Sequence, residues 1–107
     1  MEIAFSTKAL RSLAESRSLA TRKLGTDVAL ALHAQLADLD AAETPEELPL
    51  GFSVSHSSPI QLVLPLADDY VAVFQSNHRR DREAEPGTKV QWSRVRRVKL
   101  VEVVMKK

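Results

Sequence analysis

Residues 59–75, PIQLVLPLADDYVAVFQ, hold two apolar runs joined by a short polar step, and the pattern within them is the clearest along the chain. Ile60, Leu62, Leu64 and Leu66 fall on one face at period two, and Tyr70, Ala72 and Phe74 repeat the pattern after Ala67, Asp68 and Asp69. The connection is too short for a helical crossover, so the spacing predicts a β-hairpin. A lone hairpin is only marginally stable in water, which calls for further strands or a helical cover.

The preceding residues supply helices. Glu2 to Phe5 is a short strand candidate with Ile3 and Phe5 on one face, and Ser6 or Thr7 caps the helix that follows. Leu10, Leu13, Ala14, Ala20 and Leu24 form a rough helical stripe, interrupted at Ser16-Arg17-Ser18, where the helix bends or breaks. Gly25 is a natural helix stop, and Thr26-Asp27 a natural start with the acid near the positive end of the next helix. Val28, Leu32, Leu36 and Leu39 then recur at i, i+4, i+8 and i+11, predicting a second helix that ends near Ala42. Thr44-Pro45-Glu46-Glu47 has a capping-box pattern and predicts one extra turn before Pro49.

Residues 49–58 read as a turn-rich connection into the hairpin, and Asn77 to Gly87, highly charged, as an exposed loop. Val90 to Met105 reads as a last strand, with Val98, Leu100 and Val104 alternating against Val101, Val103 and Met105. Apolar side chains on both faces place such a strand inside a sheet rather than at its edge. The predicted class is α+β in the order β-α-α-β-β-β, with two N-terminal helices packed on one face of a small, mainly antiparallel sheet. Residues 1–107 are read as a single domain.

Composition narrows the setting. At 107 residues and 44% hydrophobic content the chain can bury a core without metal or disulfide help, and the lack of cysteine excludes disulfides and thiolate metal sites. No apolar run approaches the ~20 residues needed to cross a bilayer, and the N-terminus lacks a signal-peptide pattern. The expectation is a soluble, cytoplasmic protein with no membrane partner. The net charge of +1 conceals an asymmetry: residues 25–75 carry no Lys or Arg against eight acids, while residues 76–107 carry ten Lys or Arg against four acids. Basic ends that met in space would attract nucleic acid, and the ordinary alternative is solvated charge or pairing with the acidic middle.

Candidate chemistry follows from residue types. Arg94, Arg96, Arg97 and Lys99 alternate along the last strand, Arg97 and Lys99 on one face and Arg94 and Arg96 on the other, and form the candidate RNA-binding set. Lys8, Arg11, Arg22 and Lys23 of the first helix extend that surface if they lie beside it. His56 is the best general-base candidate, since a side chain titrating near neutrality suits proton transfer. His33 reads as a structural or surface residue, and the run His78-Arg79-Arg80 as a solvated loop with RNA contact the minority reading. Trp92, the sole tryptophan, reads as a core anchor for the last strand rather than a base-stacking residue. No spacing suggests a metal site, a phosphate loop or a small-molecule cofactor.

The opening EIAFSTKALRSLAES with RKLG, the helix ALHAQLADLDAA before an ELP turn, the strand DYVAVFQ, and WSRVRRVKLVEVV near the end together resemble the RelE/ParE toxin superfamily. They are most similar to its HigB-like, plasmid maintenance "killer protein" branch, over nearly the whole chain. The resemblance implies the toxin of a type II toxin–antitoxin pair, neutralised by a helix-turn-helix antitoxin and cutting messenger RNA on the ribosome without a metal. Such cleavage needs a base for the 2′-hydroxyl, cations for the charge on phosphorus and an acid or cation for the leaving oxygen. The branch ends its last strand with a pattern like E-I-V-D-Y-H. Here Glu102 keeps its place, but Met105, Lys106 and Lys107 replace the polar trio, and Tyr70-Val71-Ala72-Val73-Phe74 lacks the basic residue of Y-R-L-V-F. The implied catalytic candidates are His56, Lys106 and Lys107. The alternative is a toxin-fold protein without nuclease activity, which binds a protein target such as gyrase or has lost its activity.

Overall fold

The structure is a computed structural model, and it describes residues 1–49, 51–55, 61–77, 92 and 95–106. The chain runs β1 (Glu2–Phe5), α1 (Lys8–Glu15), α2 (Arg17–Leu24), α3 (Thr26–Ala41), a 3₁₀ turn at Pro45–Glu47, β2 (Ser53–Ser55), β3 (Gln61–Pro65), β4 (Tyr70–Ser76) and β5 (Arg97–Met105). This is an α+β architecture consistent with RelE-like topology. Its five-stranded sheet has the order β1-β5-β4-β3-β2, parallel between β1 and β5 and antiparallel elsewhere.

There are three helices before the hairpin rather than two, because the expected interruption is a full break. Ser16 ends α1 by donating its N–H to the Ser12 carbonyl at 2.9 Å, and its hydroxyl accepts the Leu19 N–H at 3.2 Å to start α2. Thr7 caps α1 in the same manner, accepting from the Leu10 N–H at 3.1 Å. Gly25 separates α2 from α3 at φ 88° and ψ 160°, a conformation closed to most side chains, so glycine is needed there. The turn at Pro45 forms as expected, but Thr44 makes no side-chain capping bond.

Leu62 and Leu64 of β3 stand opposite Phe74 and Ala72 of β4, and all four are buried with Val98 and Leu100 of β5 and Leu32 and Leu39 of α3. The helices therefore cover the sheet face that the hairpin's alternation marked as apolar. Leu66 and Tyr70, the outer members of that pattern, are only partly buried. Between them Asp68 and Asp69 both take positive φ, 54° and 63°, and the Tyr70 N–H donates to the Ala67 carbonyl at 3.0 Å. Positive φ at both central residues marks a type I′ turn, whose twist matches that of the flanking strands.

Three expectations about the sheet are corrected. Ser53–Ser55, within the stretch read as a connection, is an edge strand paired with β3; with one apolar residue between two serines it is too short to show a period. The last strand begins at Arg97, not Val90: Trp92 and Val95 lie before it, and the Val95 N–H closes a turn onto the Trp92 carbonyl at 3.1 Å. Finally, Val104 does not share the face of Val98 and Leu100. Phe74 stands opposite Leu100 but Val73 opposite Glu102, so Val101 is the extra residue of a β-bulge. Beyond it the alternation changes phase, Val103 packs on the core and Val104 is exposed. Trp92 is buried as expected, edge-on to Phe52 at 6.2 Å. Asn77 is described, but the rest of the expected loop lies outside the described residues, as does Ile60.

Candidate functional site

Strand pairing decides which cations stand together. Parallel pairing of β1 with β5 sets Glu2 directly beside Arg97, and their side chains form an ion pair at 3.2 Å. Arg96 precedes the strand rather than alternating within it, and reaches Glu43, past the end of α3, at 3.7 Å. Both arginines are more than half exposed, as are their carboxylate partners. They line an open groove of about 680 Å³ with Met1, Glu2, Asp40 and Glu43. The pairing of Arg96 with Glu43 matches the reading in which terminal cations meet the acidic middle of the chain. Exposed pairs of this kind are individually weak, so an incoming phosphate competes for the guanidinium groups at little cost.

Lys99 alternates with buried Val98 and Leu100 and so lies on the sheet face away from the helices. Lys8, Arg22 and Lys23 are exposed on the helical layer, and Arg11 is engaged there, 4.0 Å from Glu15 and over the Phe5 ring at 5.7 Å. The cations that would make one basic face if the two ends of the chain met are thus divided between two layers. Lys106 is exposed at the other end of β5, its N–H donating to the Asp69 carbonyl at 2.6 Å. Nine residues of extended chain separate it from Arg97 by roughly 30 Å. Lys106 and the arginines therefore do not form one site.

His56, Lys107, Arg94 and the run His78-Arg79-Arg80 lie outside the described residues. Ser55, just before His56, pairs with Gln61. That is the residue preceding the Leu62–Phe74 and Phe74–Leu100 pairs, so β2 leaves the sheet at its Arg97 end. His33 is structural: its Nε2 lies 2.8 Å from the Leu13 carbonyl, a contact that fixes the proton on Nε2 and ties α3 to α1. Among the described residues no group of His, Asp and Glu is arranged to hold a metal ion. No described helix is long and apolar enough to cross a membrane.

Two features were missed at the sequence level. Gln35 is buried and its Nε2 donates to the Pro65 carbonyl at 3.0 Å, joining α3 to the end of β3. Its place, seven residues after Val28 and four before Leu39, puts it on the core stripe, and that spacing was the available signal. The α-ammonium of Met1 donates to the carbonyls of Leu39, Asp40 and Ala42 at the end of α3. The Leu39 carbonyl also accepts the Ala42 N–H at 3.2 Å, the other two lie past the last intrahelical donor, and a cation is favoured at that pole. Comparison of the chain with protein-family models, with curated proteins and with solved structures gives no match.

Proposed function

We propose that this chain is the toxin of a type II toxin–antitoxin system and that it cleaves messenger RNA on the ribosome, under the control of a helix-turn-helix antitoxin. The observation that carries the reading is the exposed Arg96–Arg97 pair beside an open groove, each arginine in an exposed contact with a carboxylate. It occurs in an α+β fold consistent with RelE-like topology. In this reading Arg96 and Arg97 hold the phosphate and Lys99, two residues along the same face of β5 as Arg97, adds charge. His56 takes the 2′-hydroxyl proton as the 2′-oxygen attacks phosphorus. The bond to the 5′-oxygen breaks, and that oxygen takes a proton. His56 is preferred over Lys106 by residue type, since an imidazole suits proton transfer, and because Lys106 leaves β5 at the end opposite the arginines.

The same separation favours a second reading, a toxin-fold protein that acts on a protein target without cutting RNA. Induced expression with primer extension on messenger RNA tests both. Growth arrest with new cleavage ends is expected for the wild type and for a truncation after Met105. The ends should vanish in His56→Ala and weaken in the double variant Arg96→Ala, Arg97→Ala. Loss of the ends on truncation would return the chemistry to the lysines; arrest without ends would select the second reading, and no arrest would sink both.

A further inference from the structure

Past Leu100 the last strand has an open side. The Ser6 N–H donates to the Leu100 carbonyl at 3.0 Å and the Ser6 hydroxyl to the Val101 carbonyl at 3.4 Å, and there the cover from the β1 end stops. On their other side Glu102 to Met105 pair with β4, and the Lys106 N–H donates to the Asp69 carbonyl. Hydrogen bonds of an antiparallel pair alternate in direction along the strand. Glu102 and Val104 therefore face β4 like Lys106, and the N–H and C=O groups of Val103 and Met105 face outward. Val104 and Met105 are also exposed, so the open edge is apolar as well as unpaired. Such an edge is a template for another strand. Charge narrows what pairs with it. Glu102 and Lys106 are exposed, share the face of Val104 by alternation, and form no ion pair with a described residue. Four residues of extended chain hold them roughly 13 Å apart, too far to meet each other within one chain.

We infer that the outer half of β5 pairs antiparallel with the same segment of a second copy of this chain, about a two-fold axis that sets Val104 opposite Val104. The outward groups of Val103 in each copy then exchange hydrogen bonds with those of Met105 in the other. On one face Val103 meets Met105 of the second copy, and on the other Glu102 meets its Lys106 on both sides of the Val104 contact. The neighbouring two-fold register, centred on Val103, sets Glu102 against Val104 and loses both ion pairs. Strand β1 does not obstruct the pairing, because it lies beside Arg97 to Leu100 and the incoming strand continues from where it ends. The inference goes beyond the toxin reading and does not depend on it: none of the groups assigned there to the phosphate or to proton transfer takes part.

The test is sedimentation of the full chain over a range of concentrations, with amide chemical shifts to locate the contact. The wild type is expected to pass from monomer to dimer, with the largest shifts at Val103 to Met105, and to dissociate more readily as salt is added. Glu102→Lys and Lys106→Glu each turn both ion pairs into like-charge contacts and should weaken the dimer roughly tenfold. Mixed together, the two variants should form a heterodimer close to wild-type strength, since every charge then meets its opposite. The chain carrying both changes should recover its homodimer for the same reason. Recovery also separates lost pairing from lost folding, because two misfolded chains would not restore each other. A wild type that stays monomeric at the concentrations used for the shifts, shifts centred on another surface, a dimer indifferent to both reversals, or a mixture no stronger than its components would each overturn the inference.

Discussion

The two halves of β5 have similar sequences and different surroundings. From Arg97 to Leu100 the strand has β1 on one side and β4 on the other, and Val98 and Leu100 are buried. Beyond Leu100 the first strand has ended: the Ser6 N–H donates to the Leu100 carbonyl at 3.0 Å and the chain turns away into α1. Glu102 to Met105 therefore pair with β4 alone, and Val104 and Met105 are exposed. One strand is a sheet centre for half its length and an edge for the rest. The length of its neighbour, rather than its own apolar content, sets where it becomes an edge.

The largest expected effect breaks that comparison directly. Leu100→Ala removes a fully buried side chain from the core and should cost about 2–5 kcal/mol, whereas Val104→Ala should stay within about 0.5 kcal/mol. Urea unfolding of both variants measures the difference. Similar losses would mean that the outer half of β5 is as integral to the fold as the inner half.

This division also marks what the sequence could reveal. The hairpin and α3 were legible because each repeats its own period without interruption, and Ser16 and Gly25 announced breaks that local chemistry enforces. The bulge at Val101 was not, since Val-Glu-Val-Val supports either phase of alternation and only pairing with β4 selects one. The Arg97–Glu2 pair depends on β1 lying parallel to β5, a contact between the two ends of the chain for which no local pattern exists. For the candidate site, the cations were identified but not their grouping. Strand length already separated Lys106 from Arg97, yet which end of β5 met the acids Glu2 and Glu43 required the topology.

A tether supports the outer half from a distance. Gln35 donates to the Pro65 carbonyl, and Pro65 pairs with Val71, which pairs in turn with Val104. Gln35→Met keeps the volume and removes the donor, so it should cost about 1–2 kcal/mol. Hydrogen exchange should quicken at the Leu66 amide, which closes the hairpin onto Tyr70, more than at Leu62 within the core. Equal acceleration at both would show that the bond holds the fold as a whole and not this end of the sheet.

The hairpin turn offers a change of opposite sign. Asp69 holds φ 63°, which costs a non-glycine residue energy, and Asp69→Gly should raise stability by about 0.5–1 kcal/mol. The Lys106 N–H bonds to the backbone carbonyl of Asp69, a contact the substitution keeps. The gain should therefore appear in thermal unfolding without any change in the pairing of β4 with β5, and a loss of stability would mean that the Asp69 side chain has a role of its own.

The smallest expected effect lies at the inner end, in the Arg97–Glu2 pair. Both groups are well exposed, so water and salt screen their attraction, and the pair should contribute about 0.2–1 kcal/mol. A double-mutant cycle with Arg97→Ala and Glu2→Ala isolates that coupling from the loss of each side chain's other contacts. Raising the salt concentration should shrink it toward zero while the effect of Leu100→Ala persists, since burial is not screened. A weak, salt-sensitive coupling leaves Arg97 free to exchange Glu2 for a phosphate; a strong, salt-resistant one would make the arginine part of the β1–β5 seam and remove it from the proposed RNA contact.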